Sequence, residues 1–427
     1  MHQIDLLITN VRRVLTCAAP NGALRGAALA LATTIDNAAL AIDAGRLVAV
    51  GTAAELTAQY RAASTLDGAG MIALPGFVDP HTHVCYAGDR ADEFALRIGG
   101  ATYQELMAAG GGIMATVRAT RAASLAELVA QTRPRLDAML AHGTTTVEIK
   151  TGYGLTTQAE IAMLEAIAEL QRTHPISIIP TWMGAHAIPA EYRGAADGYT
   201  NLVVDEMLPA VARWWAAQTV WDGALACDVF CEDGAFDLAQ SRRILLRARE
   251  LGFSTKLHVD EFAPLGGTPL AVELGSLSAD HLVATTPEHI ALLGGSSTVA
   301  VALPGTPFGL GKHEWTPARA LVAANGTLAL ATDCNPGTSI CESMPFIIAL
   351  ACRYLRLTPI EAIHAATINA AHALGLAAEI GSLEIGKRAD VILLDLPSEH
   401  HIGYRFGGNP VALVVKAGVV VADQRRV

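Results

Sequence analysis

Charge is scarce in this chain of 427 residues: Asp, Glu, Lys and Arg make up only 17%, and the balance is acidic, with a formal net charge of −11. That composition argues against a general nucleic-acid or anionic-membrane surface as partner. An anionic ligand would have to be met by particular arginines working against the background field. Cysteine is confined to Cys17, Cys85, Cys227, Cys231, Cys334, Cys341 and Cys352, an odd and scattered set with no C-x-x-C pair. A zinc ribbon, a thioredoxin-like motif and a secreted disulfide framework are thereby excluded, and a reducing, cytoplasmic compartment is expected. No uninterrupted apolar run reaches the ~18 residues of a membrane span. The opening "MHQIDLLITNVRR" lacks the basic start and apolar stretch of a secretion signal. A G-x-G-x-x-G turn, a short internal repeat and a low-complexity tract are also missing, which weakens any dinucleotide-binding reading.

What the chain has is apolar mass, 52% of residues and much of it alanine, enough for a large core. Its length exceeds a typical single domain, although an α/β barrel uses about 250 residues in one unit. Between about 70 and 375, strand-like apolar runs alternate with helical patterns such as 157–173 and 238–252. Eight strands are expected, at 71–83, 144–150, 176–186, 225–231, 254–258, 276–281, 297–303 and 327–333. That alternation predicts a (β/α)8 TIM-like barrel over 71–375, with a doubly wound open sheet as the competing architecture. Short β-rich runs at both ends (4–9, 40–50, 380–396 and 411–423) predict a small accessory β-sandwich domain built from 1–70 plus 376–427.

The polar residues collect at one end of these strands. His81 and His83 close the first, His186 the third, His258 the fifth, His281 the sixth and Asp333 the eighth. In a barrel the carboxyl ends of all strands share the face where active sites lie. In "DPHTHVCYAGDR" (79–90) the two histidines are one residue apart, so strand alternation turns both to one side. Three imidazoles and a carboxylate, from His81, His83, His258 and Asp333, suit a borderline divalent metal with one position left open for water. In "KLHVDEF" (256–262), Glu261 is placed to shuttle a proton from water to a leaving nitrogen. His281 is placed to hydrogen-bond the same water. The plainer alternatives are a solvated loop at Asp260–Glu261 and a satisfied rim histidine at 281.

With HTH, HVDE, ADH and TD in that order, the chain resembles the amidohydrolase superfamily over nearly its full length, including "IGSLEIGKRADVILLD" (380–395). More narrowly, "DPHTHVCYAGDR", "GGGI" (110–113), "VEIKTGYGL", "GAHAIP" (184–189), "KLHVDEF" and "TDCNPGT" (332–338) resemble the imidazolonepropionase family. The resemblance implies one zinc or iron ion per subunit on His81, His83, His258 and Asp333, with Glu261 and His281 managing the catalytic water. It implies substrate contacts from Arg90, Tyr103, Tyr153, His186, Asn335, Gly337 and Thr338, with Arg90 on the propionate of a small anionic substrate. It also implies opening of the imidazolone ring, oxyanion stabilisation by His186 or His281 beside the metal, and a homodimer. Lys150 ends strand two rather than strand four, where the bridging lysine of two-metal members stands. A single metal is therefore expected, with Lys150 pairing with Glu148 or Asp333 or lining the rim.

Competing readings remain for the substrate set: an ion pair of Arg90 with Asp89 or Glu93, helix packing for Tyr103, a structural cap for His186, and an ordinary turn for Asn335–Thr338. The rival functions are a purine, pyrimidine or triazine deaminase of the same superfamily and a non-catalytic scaffold. The complete ligand set argues against the scaffold.

Overall fold

The structure is a computed structural model that describes residues 1–100 and 111–425; Tyr103 and Gly110 lie outside them. Two eight-stranded sheets organise the chain.

The first sheet is mixed and draws on both termini. It contains β1 (His2–Leu15), β2 (Thr34–Asp43), β3 (Arg46–Thr52), β4 (Tyr60–Asp67) and β5 (Ile72–Pro75). The second sheet is wholly parallel, from β6 (Phe77–Asp79) through β7 (Thr144–Lys150), β8 (Ser177–Ala185), β9 (Ala226–Cys231), β10 (Ser254–Val259), β11 (Ser278–His281), β12 (Val299–Ala302) and β13 (Leu328–Leu330). The chain then returns to the first sheet through β14 (Val391–Leu394), β15 (Val411–Lys416) and β16 (Val419–Asp423).

In the first sheet the order is β16-β15-β14-β5-β1-β2-β3, with β4 added parallel to β1. Its alternating apolar residues, among them Ile8, Leu40, Val391 and Leu413, share one buried cluster. The β2–β3 hairpin turns on Ala44 and Gly45, both at positive φ (47° and 75°), the geometry whose twist matches the strands it joins.

In the second sheet each strand pairs only with its sequence neighbours, and helices such as Thr157–Thr173 and Leu238–Glu250 fall between strands. All eight expected strands are present, and the (β/α)8 barrel stands. The expectation of one strand over 71–83 is corrected: Ile72–Pro75 belongs to the terminal sheet and Phe77–Asp79 to the barrel. Gly76 makes the change of sheet, its N–H donating to Asp390 O at 2.9 Å. A Cβ there would stand 2.3 Å from the Thr145 side chain. Gly76→Ala is therefore expected to destabilise by roughly 1–3 kcal/mol as an overpacking change, read as a lower thermal midpoint. Among the described residues no helix is long and apolar enough to cross a membrane.

The barrel closes on the segments just beyond its first and last strands. Asp333 N donates to His81 O (3.1 Å) and His83 N donates to Cys334 O (2.9 Å). Inside, the usual aliphatic filling gives way to charge: Glu148, Lys150, Asp228, Lys256 and Asp280 are all fully buried.

Candidate metal centre

His81 and His83 stand in the extended tail that follows β6. Thr82 between them points the other way and donates to Glu148 O at 2.5 Å, so the two imidazoles share a side, their centroids 5.2 Å apart. His258 reaches the same point from β10, with Nε2 3.2 Å from His83 Nε2. Asp333, three residues past β13, brings Oδ1 to 3.5 Å from His81 Nε2 and 3.7 Å from His83 Nε2. Two donors bound at about 2.0–2.1 Å in a tetrahedral shell lie roughly 3.3 Å apart, so these separations are those of ligands around one ion.

The tautomers agree with that fit. His81 Nδ1 meets Asp280 Oδ2 at 2.7 Å, and a carboxylate only accepts, so the ring proton is on Nδ1 and Nε2 carries a lone pair. That Nε2 is buried and hydrogen-bonds to nothing. His258 Nδ1 lies 3.1 Å from Asp228 Oδ2, an ion-pair distance without hydrogen-bond geometry, and its Nε2 faces that of His83. Burial holds His81 and His83 well below the usual imidazole range, which is the neutral form a metal binds. Burial also pushes the Asp333 carboxyl up to about 6, against the lowering effect of its bond from the Thr306 hydroxyl. A cation is the group this arrangement accommodates.

Glu261 lies in the loop after β10, its Oε2 3.7 Å from His281 Nε2. Burial, followed by the like charges of Asp333 and Glu232, pushes its carboxyl up to about 8. The loop is anchored rather than solvated. Asp260 is fully buried and accepts from Thr268 Oγ1 (2.8 Å) and His289 Nδ1 (2.8 Å), while Glu232 Oε2 accepts from the Phe262 and Ala263 N–H groups (2.9 and 3.3 Å). His281 takes a left-handed backbone (φ 80°) and Asp333 does too (φ 50°). That strain sits at the two strand ends that aim side chains into the centre.

The other site residues surround this cluster. His186, one residue past β8, stacks on His83 (4.7 Å, 16°). Its Nδ1 donates to Gly152 O at 3.1 Å, and burial drives its pKa down to about 3. With Nδ1 donating, its Nε2 is free to accept. Tyr153 is buried between His83, His186 and Tyr86. Arg90 makes the ion pair with Glu93 that the sequence allowed, but this uses only Nε and one face of Nη2. Its Nη1 lies against Gly337, where a Cβ would come within 2.6 Å of it. Asn335 turns inward: its Oδ1 accepts from the Gly337 and Thr338 N–H groups (2.8 and 2.9 Å) and its Nδ2 donates to Asp333 O (2.7 Å). The structure thus brings Arg90, Gly337 and Thr338 together around one pocket, with Asn335 as the organiser of their loop.

Lys150 pairs with Glu148 (2.8 Å) and Asp228 (2.7 Å); of the two partners expected for it, Glu148 is found and Asp333 is not. Asp228 and Asp280, the carboxylates behind His258 and His81, were not anticipated. The available signal was a lone charge in an apolar strand ("LACDVFC") and one beside a strand-end histidine ("SADH").

The amidohydrolase family pattern matches residues 266–421. The chain is 67% identical over 421 residues to an imidazolonepropionase from Herpetosiphon aurantiacus, covering 99% of this chain and 98% of that one. It is 50% identical over 432 residues to one from Symbiobacterium thermophilum, covering 100% and 99%. Among solved structures it resembles an adenosine deaminase from Xanthomonas campestris with bound zinc, at a TM-score of 0.72 and 21% identity over 99% of this chain and 94% of that one. It also resembles an atrazine chlorohydrolase from Arthrobacter aurescens complexed with zinc, at 0.65 and 18% over 98% and 95%. Those two likenesses are of fold. Identity of this order along the whole length, together with the ligand geometry, makes the chain a member of the imidazolonepropionase family of amidohydrolases.

Proposed function

We propose that the protein hydrolyses the cyclic amide of 4-imidazolone-5-propanoate to N-formimidoyl-L-glutamate in histidine degradation. The observation that carries this reading is the full-length identity of 67% to an imidazolonepropionase; the grouping of His81, His83, His258, Asp333, Glu261 and His281 at one barrel mouth supports it.

A metal ion held by His81, His83, His258 and Asp333 would polarise the ring carbonyl and acidify water there. Four buried carboxylates (Glu148, Asp228, Asp280 and Asp333) face two buried ammonium groups (Lys150 and Lys256). Three imidazoles and one carboxylate suit a borderline ion such as zinc or iron.

Glu261 takes the proton of the attacking water and returns it to the departing ring nitrogen; a carboxyl whose pKa lies near the working pH is suited to both directions. His281, within reach of Glu261, donates to the oxygen on which charge develops. His186 accepts from a ring N–H through Nε2. Arg90 presents the Nη1/Nη2 edge of its guanidinium to the propionate, the Nε side being held by Glu93. The seven cysteines are all free, which supports a cytoplasmic setting. A homodimer follows from the family reading and is checked by light scattering.

Loss of imidazolone absorbance with metal-analysed protein tests the activity, with ammonia release from adenine, cytosine and a triazine as the control. Ammonia release without ring opening would replace this reading by that of a deaminase. Arg90→Ala should raise KM about 10–150-fold, the equivalent of one charge-assisted hydrogen bond, with kcat little changed. An unaltered KM would remove Arg90 from the substrate site.

A further inference from the structure

The sequence leaves Lys150 without a function, and the proposed chemistry does not use it. Its side chain is fully buried at the end of β7, beneath the histidine cluster. Nζ lies 2.7 Å from Asp228 Oδ2, 2.8 Å from Glu148 Oε2 and 3.7 Å from Asp280 Oδ2. Two of those three oxygens have a second partner. Asp228 Oδ2 is the atom 3.1 Å from His258 Nδ1, and Asp280 Oδ2 is the atom 2.7 Å from His81 Nδ1. One ammonium therefore lies within ion-pair distance of both oxygens that face the Nδ1 atoms of two ligand rings, His258 on strand five and His81 in the tail of strand one.

The bland role for a buried lysine is to neutralise carboxylates. Lys256 does that for Glu148 (2.9 Å), donates to Pro80 O (2.8 Å) and stabilises the charge of Asp280 as well. The place of Lys150 is more particular. Asp228, His258 and Asp280 offer ligand atoms within 4.8 Å of one another, a grouping able to hold a cation of its own, and the ammonium of Lys150 is in contact with both carboxylates.

We propose that Lys150 is a positioning residue of the metal centre, a fixed internal cation that clamps Asp228 and Asp280 so that His258 and His81 present Nε2 to the ion. The clamp works through geometry. Asp280 is hydrogen-bonded to the His81 ring and lies 3.7 Å from the ammonium, and Asp228 is hydrogen-bonded to the ammonium and lies 3.1 Å from the His258 ring; with the ammonium between them neither is free to swing away, and carboxylates behind ligand histidines tune metal affinity. The proposal rests on the metal reading of the site and is independent of which ring is hydrolysed.

The test uses full-length protein stripped by chelation and titrated with Co²⁺ alone, read by competition with a fluorescent chelator and by the visible ligand-field spectrum. Lys150→Met should weaken Co²⁺ binding about 10–100-fold and alter the spectrum, with Lys150→Arg restoring part of both. Asp228→Asn should show a loss of similar size, and the double variant Lys150→Met/Asp228→Asn no more than the larger single loss, because the lysine acts through that carboxylate. Lys416→Met, which breaks a buried pair with Asp390 (2.6 Å) in the terminal sheet, should lower the melting temperature and leave Co²⁺ affinity alone. If Lys150→Met does not fold, Lys150→Arg and Asp228→Asn still decide: Asp228→Asn with wild-type affinity overturns the clamp. So does Lys150→Met with unchanged affinity and spectrum, or with a second Co²⁺ equivalent bound beside an unchanged first, or a loss matched by Lys416→Met. Failure of the wild type to bind Co²⁺ would instead sink the metal reading itself.

Discussion

Glu261→Gln should cut kcat by roughly 10²–10⁴-fold, the usual contribution of a positioned proton carrier, with bound metal and KM close to wild type. Glutamine keeps the shape and can neither accept nor return a proton. Glu261 is not one of the four residues that converge on the ion position, and its approach to the cluster is through His281, 3.7 Å away. The loop also keeps its shape without the charge, because the anchors are Glu232 and the Asp260–Thr268–His289 bonds. Metal analysis and steady-state kinetics on one preparation check the result. Most of the activity surviving would transfer the proton-carrying role to His281.

Asp333→Ala should be more severe still, with the metal lost and turnover reduced by more than ~10³-fold, since Lewis-acid assistance supplies several kcal/mol at about 1.4 kcal/mol per decade. Asp333 is the only carboxylate whose oxygen reaches the Nε2 atoms of both His81 and His83 among the described residues; without it only the three imidazoles remain. Folding should survive. Burial raises the folded-state carboxyl to about 6, above its unfolded value of ~3.9. Without a cation the ionised group therefore costs stability as pH rises through that interval. The stripped variant should therefore melt no lower than the stripped wild type at neutral pH, whereas metal raises the midpoint of the wild type alone. A variant that retained its metal would overturn the assignment of Asp333 as a ligand.

The barrel and the four converging ligands were legible because each leaves a local mark: an apolar run of strand length, and a histidine or aspartate at its carboxyl end. What escaped was relational. Asp228 and Asp280 look like isolated charges until parallel pairing sets Lys256 beside Asp228 and His258 beside Asp280. Of the partners of Lys150, Glu148 is on its own strand whereas Asp228 and Asp280 are on two others, so neighbouring sequence could name Glu148 but not Asp228. The 71–83 run hid a change of sheet because Gly76 looks like an ordinary turn glycine until Thr145 is seen against it. The tautomer of His186 follows from a carbonyl thirty-four residues earlier in the chain, which no motif encodes. Tyr103 lies outside the described residues and stays an expectation from the family resemblance.

The barrel's closing seam joins the two segments that carry three of the four ligands: Asp333 N to His81 O and His83 N to Cys334 O. An ion on His81, His83 and Asp333 would therefore tie the first staves to the last, and its removal is expected to loosen the join. Amide hydrogen exchange at Asp333 and His83 becomes a gauge of occupancy that needs no substrate. The circle of strands is already closed by these backbone hydrogen bonds, and an ion there would add a second tie across the same seam.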